Sequence, residues 1–301
     1  MASTARLWLQ EDRSGAPGNR TSRYRIMFFY KLKIFLLRIL GYEKPLRVAL
    51  LKYLSLKFKQ FRPHYETILL ESCIEAKKLG YDEVSVLELG VAGGNGIIAL
   101  EKYKKKIEKY LKLKINIYGF DTGEGLPRSD NIYDLPFSWK KGDYKIDKKK
   151  LESKISKSKI FYGDIKNTVD DFLQINPKNI ISIFFDMDFY TSTKDFLNQT
   201  FKLEKCFCPR VYCYFDEVFS ANHWINEYLG ERLAIKEFNE ENEKFKIGLA
   251  LDNITDFRFP LGKGQLFILN NFNHKDYRNY IGIDDEKSLV IDDYKVIAKI
   301  F

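Results

Sequence analysis

The 301-residue sequence holds only four cysteines and three histidines. Cys206, Cys208 and Cys213 lie close together, but a fourth ligand and a C-x-x-C pair are both missing. A zinc cluster is therefore set aside in favour of reduced cysteines in or beside a buried strand, the same reading given to Cys73. The first residues do not resemble a secretory leader either, because Glu11, Asp12 and Arg13 interrupt them before any apolar region forms. Together these absences point to a reducing cytoplasm. No stretch of about twenty apolar residues is free of charge, which argues against a spanning helix. What the chain does have is a balance of 45% hydrophobic and 30% charged residues, enough to bury a sizeable core.

The net charge of +9 is unevenly placed. Residues 1–62 carry 14 Lys and Arg against three acidic residues, +11, which leaves −2 on the remainder. A body without net positive charge argues against nucleic acid as its substrate. Residues 1–22, rich in Ser, Gly, Arg and Thr, read as a disordered leader. Residues 23–63 read as a basic and apolar arm of two short helices, interrupted at Gly41 and Pro45. Lys31 and Arg38 share a side of such a helix while Lys33 falls opposite, a poorer separation than a membrane-lying helix shows. Packing on the main domain or across a homo-oligomer is preferred for the arm, and peripheral membrane contact stays open. The location expected is therefore cytoplasmic, with membrane association as the open alternative.

Residues 64–301 read as one domain. The apolar spacing predicts a helix over 64–80, a strand over 84–89, a helix over 97–111 and a strand over 115–120. A second unit follows, with a strand at 159–162 and a helix at 168–173. Residues 179–185 form a continuous apolar run, as expected of a strand buried on both faces. A helix is expected over 191–203, with Ser192 and Asp195 as its capping box. Next come a strand at 211–215, a helix from about 221 to 239, and strands near 245–251 and 265–269, with a Gly262–Gly264 turn before the last. The expected fold class is α/β: a Rossmann-like doubly wound sheet, mainly parallel with an antiparallel last strand, preceded by N-terminal helices. Ligands then gather at the carboxyl ends of the strands.

The first such end carries Leu87-Glu-Leu-Gly-Val-Ala-Gly-Gly-Asn-Gly96. A dinucleotide fingerprint starting at Gly90 would need glycine where Ala92 and Asn95 stand, and a Walker loop would need Gly-Lys-Ser/Thr. The pattern is E-x-G-x-x-x-G instead, with Glu88, Gly90 and Gly94. The second strand ends in Gly119-Phe-Asp-Thr-Gly-Glu-Gly-Leu-Pro127, where Asp121 is the candidate for holding both ribose hydroxyls. A turn-forming Asp beside glycine is the alternative. Asp164, ending the third strand, is a candidate for the adenine amino group, and an Asp capping the following helix would look identical.

The strand at 180–185 runs into Asp186-Met-Asp188-Phe-Tyr-Thr-Ser-Thr193, and the next ends in Phe215-Asp216-Glu217. Neighbouring strands lie about 4.8 Å apart, so these carboxylates converge. Several acids at one edge repel unless a cation or protons compensate them. A hard oxygen shell suits magnesium or another divalent cation. Solvated or helix-capping Asp residues are the alternative.

In their order these segments resemble class I S-adenosylmethionine-dependent methyltransferases, and in particular the macrocin O-methyltransferase family, over residues 64–270. Trp139, Gly142 and the stretch Gly230-Glu-Arg-Leu-Ala-Ile-Lys-Glu-Phe238 extend the likeness. The Asp-x-Asp-x-Tyr-x-Ser-Thr run is its most specific part. The resemblance implies S-adenosyl-L-methionine held by Glu88, Gly90, Gly94, Asp121 and Asp164. It also implies Mg²⁺ or another divalent cation on Asp186, Asp216 and Glu217, with Asp188 as general base. The implied acceptor is a hydroxyl of a small-molecule sugar or glycan. Two departures stand out: Glu217 replaces the family's usual second Asp, and Pro209-Arg210 replaces a glycine pair. His223 is a further candidate base or substrate contact, or else a structural histidine. Two other readings are a Rossmann-like nucleotide-sugar enzyme of different chemistry and a non-catalytic cofactor-binding scaffold. Aromatic residues Tyr133, Phe137 and Trp139 are candidates to stack on a sugar, to form a lid, or to join the core.

Overall fold

The computed structural model describes residue 32 and residues 62–218, 224–250 and 265–282. The chain divides into two units: Met1–His64 with Asp252–Lys263, and Tyr65–Leu251 with Gly264–Phe301. Apart from a few residues, everything described belongs to the second unit. The leader, nearly all of the arm, and the Gly262–Gly264 turn lie outside the described residues.

The second unit contains a seven-stranded sheet in the order β3-β2-β1-β4-β5-β7-β6. Its strands are β1 (Glu83–Leu89), β2 (Lys114–Asp121), β3 (Lys159–Tyr162), β4 (Ile180–Phe185), β5 (Phe207–Phe215), β6 (Phe245–Leu249) and β7 (Leu266–Asn271). The helices are α1 (Pro63–Lys78), α2 (Asn95–Leu111), α3 (Lys148–Glu152), α4 (Ile165–Gln174), α5 (Tyr190–Leu197), α6 (Thr200–Leu203) and α7 (Gly230–Glu241). Strands β1 to β5 pair in parallel, and β7 runs antiparallel to both β5 and β6. This is the Rossmann-like, mainly parallel sheet with an antiparallel last strand that the alternation of elements predicts.

Strand β4 is buried at all six positions. That explains its unbroken apolar run, since a central parallel strand has no face left for polar residues. Phe185 stacks on Phe215 of the next strand, ring centroids 4.2 Å apart. The chain winds outward from β1 in one direction and from β4 in the other, so a crevice opens between their carboxyl ends. Ladder bonds continue past those ends: Gly90 N donates to Phe120 O (2.8 Å), Asp186 N to Leu89 O (2.8 Å) and Asp216 N to Phe185 O (3.0 Å). Gly90, Asp186 and Asp216 therefore stand side by side at one edge.

Three element expectations are corrected. The helix expected over 191–203 is two helices, α5 and α6, with a Gln199 N to Phe196 O turn between them (2.8 Å). Ser192 and Asp195 form no capping box: α5 has no side-chain cap of its own, and Asp195 pairs with Lys166 at 3.0 Å. The helix expected from about 221 starts at Gly230, after turns at 224–229. Strand β5 begins at Phe207 rather than 211, and Pro209 falls in the register shift opposite Ile180–Ser182, where its missing N–H breaks no ladder bond.

Candidate active site

The glycine loop is pressed against the tip of β4. A Cβ added to Gly90 would stand 1.9 Å from the carbonyl oxygen of Asp186, and its φ is +86°. Only glycine meets both demands. Gly94 starts α2 at φ +84°, where an added Cβ would meet Leu151 of α3 at 2.1 Å. Glu88, the other residue of the motif, is 1% exposed and accepts a hydrogen bond from the Tyr65 hydroxyl at 3.3 Å. Its carboxylate lies where a Cβ on Gly96 would fall, 1.6 Å from Oε1. Glu88 thus locks the first turn of α2 against β1, a role on the inner side of the loop.

Asp121 ties the two strand tips together. Its Oδ2 accepts from Val91 N and Ala92 N, both at 2.9 Å, and its Oδ1 from Gly123 N at 2.7 Å. The alternative of a turn-forming Asp is therefore present, and it also fixes the β1 loop. Three of about four carboxylate lone-pair sites are used, leaving room for one further donor. Asp164 caps α4, its Oδ1 accepting from Lys166 N at 2.9 Å. Gly163 N donates to Asp121 O at 2.9 Å, so the third strand tip is fastened to the second.

The β4 and β5 tips are a different environment. Asp188 is 7% exposed and has φ 63°. Phe189 N donates back to Met187 O at 2.7 Å across it, a tight turn of the strained hand. Burial first, then the charges of Asp186, Glu217, Asp216 and Asp143, hold its carboxyl well above the usual carboxylate range. Burial, Asp216 and Asp186 push Glu217 up to about 8, so it keeps its proton at neutral pH. The Tyr214 hydroxyl donates to Asp216 Oδ1, and Gln265 Nε2 donates to the Asp216 carbonyl at 2.7 Å.

A fifth carboxyl belongs to this group. Glu231, in the first turn of α7, is fully buried, and its Oε2 accepts from Glu217 N at 2.9 Å. Its Oε1 has no hydrogen-bond partner among the described residues. Burial and then Glu217 raise its carboxyl, against the opposing pull of the Glu217 N–H. Sequence reasoning passed over it, although one signal was there. Glu231 shares the buried stripe of α7 with Ala234, Ile235 and Phe238, an acid on the apolar face of an amphipathic helix.

The oxygen-rich donor set suits a hard cation. Among the described residues, however, no three His, Cys, Asp or Glu side chains stand close enough to hold a metal ion. The expected trio Asp186, Asp216 and Glu217 is thus coupled through its charges without being preassembled as ligands. His223 lies outside the described residues.

A second unforeseen residue is Asp134. It is 1% exposed, and its Oδ1 accepts from Thr191 N at 2.7 Å and its Oδ2 from Thr191 Oγ1 at 2.8 Å. It caps α5 from a loop 57 residues away, which no local capping pattern signals. This fastens the β2–β3 connection to the Asp186–Thr193 segment. The connection carries Tyr133, 5.5 Å from Tyr190, and Phe137, 5.5 Å from Trp224. Tyr144 has its phenol raised by burial and then by the charges of Asp188 and Glu217, and its ring packs edge-on to Trp139 at 5.9 Å. Tyr133, Phe137 and Tyr144 are partly exposed rather than core residues.

No known family model matches the chain, and no curated protein matches it. Among solved structures, it resembles CalS11, a calicheamicin methyltransferase, at 19% identity, covering 85% of this chain and 94% of that one, with TM-score 0.49. An apo structure of CalS11, described as a TDP-rhamnose 3'-O-methyltransferase, matches at 19% identity over 70% and 81% of the chains, TM-score 0.40. An O-methyltransferase from Bacillus cereus in complex with SAH matches at 15% identity over 69% and 80%, TM-score 0.36. These likenesses extend to the fold alone. Among the described residues no helix is long and apolar enough to cross a membrane.

Proposed function

We propose that the chain is an S-adenosylmethionine-dependent O-methyltransferase acting on a hydroxyl of a sugar or glycosylated metabolite. One observation carries the reading: Gly90 of the glycine loop lies against the backbone of Asp186, so a cradle for a small cofactor and a buried acid cluster share one crevice. S-adenosylmethionine supplies an electrophilic methyl group when bound. In this reading the loop at 90–94 approaches its amino-acid part, Asp121 offers its remaining lone pair to a ribose hydroxyl, and Asp164 faces the adenine.

Asp188 takes the proton of the acceptor hydroxyl. Burial and like charges make it a stronger base than an ordinary carboxylate. The strained turn and the Asp134–Thr191 clamp hold its position, and fixing oxygen and methyl in line accounts for much of the acceleration. Tyr144 and Phe137 are suited to stacking on the acceptor ring. His223 stands as an additional candidate for contact with the acceptor.

The proposal has a separable metal clause. Asp186, Asp216 and Glu217 would hold a divalent cation, which would lower the acceptor's pKa. Its support is the chemistry of the donors and the raised carboxyls, and no step above depends on it. The test is transfer of labelled methyl from S-adenosylmethionine to a panel of glycosides, with and without Mg²⁺. Transfer to a hydroxyl that is lost in Asp188→Asn is expected. Transfer to nitrogen or carbon acceptors only would overturn the O-methyl reading.

A further inference from the structure

The positive charge of the body is concentrated in one stretch. Residues 95–159 hold 17 Lys and Arg against nine acidic residues, +8, which leaves −10 on the rest of residues 63–301. On α2, Lys102, Lys105, Lys106, Lys109 and the capping Lys112 are exposed. Their spacing of three and four residues gathers them on one stripe, opposite the buried Leu100, Tyr103 and Ile107. The β2–β3 connection adds exposed Lys140, Lys141, Lys149, Lys150, Lys154 and Lys157. Successive right-handed crossovers from β1 to β2 to β3 put both segments on the same side of the sheet. Glu101 of α2 joins them directly, accepting from Ser156 N, Lys157 N and Ser158 N at 3.0, 2.8 and 2.9 Å.

Three acids within this stretch are used internally. Glu101 is turned onto those backbone amides. Glu108 accepts from Ile115 N at 2.9 Å and pairs at 3.6 Å with Lys104, which is itself buried. Asp147 caps α3. These three acids therefore do not offset Lys105, Lys109, Lys149 or Lys150, whereas Glu124 pairs with Lys145 at 2.9 Å and with Lys148 at 3.7 Å.

We propose that this face, α2 with the β2–β3 connection, docks on an anionic lipid surface. Sixteen of its 17 basic residues are lysine. Compact ammonium charges suit diffuse attraction to a charged plane, whereas arginine forks mark structured phosphate or base recognition. The arm at 23–63, basic and apolar together, has the same character. The lysines of this surface have no role in the proposed chemistry.

The test is co-sedimentation of the full chain with phosphatidylcholine vesicles, with and without phosphatidylserine, at low and high salt. Partitioning is expected only with phosphatidylserine, weakening as salt rises. The combined variant Lys105→Gln, Lys109→Gln, Lys149→Gln and Lys150→Gln is expected to lose roughly fivefold per lysine, with an unchanged melting temperature. Wild-type partitioning by the lysine variant, equal binding to neutral vesicles, or tighter binding to an RNA oligonucleotide at the same salt would each overturn the proposal. Calorimetry with S-adenosylmethionine on the same variant keeps this outcome distinct from the methyltransferase reading.

Discussion

The tips of β1 and β2 and the tips of β4 and β5 lie at one sheet edge and treat their carboxylates in opposite ways. On the first side, Asp121 accepts from three backbone amides and Asp164 caps a helix, so each negative charge has fixed donors. On the second side, Asp188, Glu217 and Glu231 are buried among one another and their carboxyls are raised. Fixed donors rigidify the loop after β1. Crowded acids hold protons or a cation at a cost in stability, which is common where chemistry takes place. The contrast is the one the proposed function calls for, with one half of the crevice suited to binding and the other to reaction.

The comparison predicts opposite signs for substitution in the two halves. Gly90→Ala is the most severe: the added methyl overlaps the Asp186 carbonyl, and a loss of at least about 3 kcal/mol is expected in chemical unfolding, together with loss of cofactor binding. Asp188→Asn has the reverse stability effect. A carboxyl held away from water among like charges costs stability, so its replacement raises the melting temperature; asparagine tolerates the positive φ, and methyl transfer falls about 10²–10⁴-fold. A melting temperature that drops instead would show that Asp188 is not held against its neighbours' charge.

Asp121→Ala leaves three amides without their acceptor and is expected to cost about 2 kcal/mol, with weaker cofactor binding in calorimetry. Glu101→Gln is the mildest, about 1 kcal/mol at neutral pH. Burial works to raise the Glu101 carboxyl, but donors at Lys157, Ser158 and Ser156 outweigh it and hold the group below its usual 4.5. Its contribution is therefore full above that value and is lost as pH falls through the lower folded value. The gap between wild type and Glu101→Gln should close on acidification; a gap that stays constant would contradict the assignment.

The sequence made the fold readable where local pattern and burial coincide. The apolar run at β4 and the glycines after β1 are cases in which sheet geometry leaves few residue choices. The capping of α5 was not readable, because its cause is distant: the N-terminus of α5 is satisfied by Asp134. The acid cluster was half legible. Asp186, Asp188, Asp216 and Glu217 announce themselves at consecutive strand ends, whereas Glu231 comes from a helix far along the chain. The assembly of a ligand trio could not be read from spacing, since strand order sets which tips are neighbours but not how each carboxyl turns.

The central claim is that the β1–β2 half binds S-adenosylmethionine beside an acid cluster. Titration calorimetry of the full chain with S-adenosylmethionine, with and without Mg²⁺, tests it most directly. The account predicts binding that Gly90→Ala abolishes and that Asp188→Asn leaves intact, with Mg²⁺ affecting only the metal clause. Folded protein that takes up no S-adenosylmethionine under either condition would contradict it.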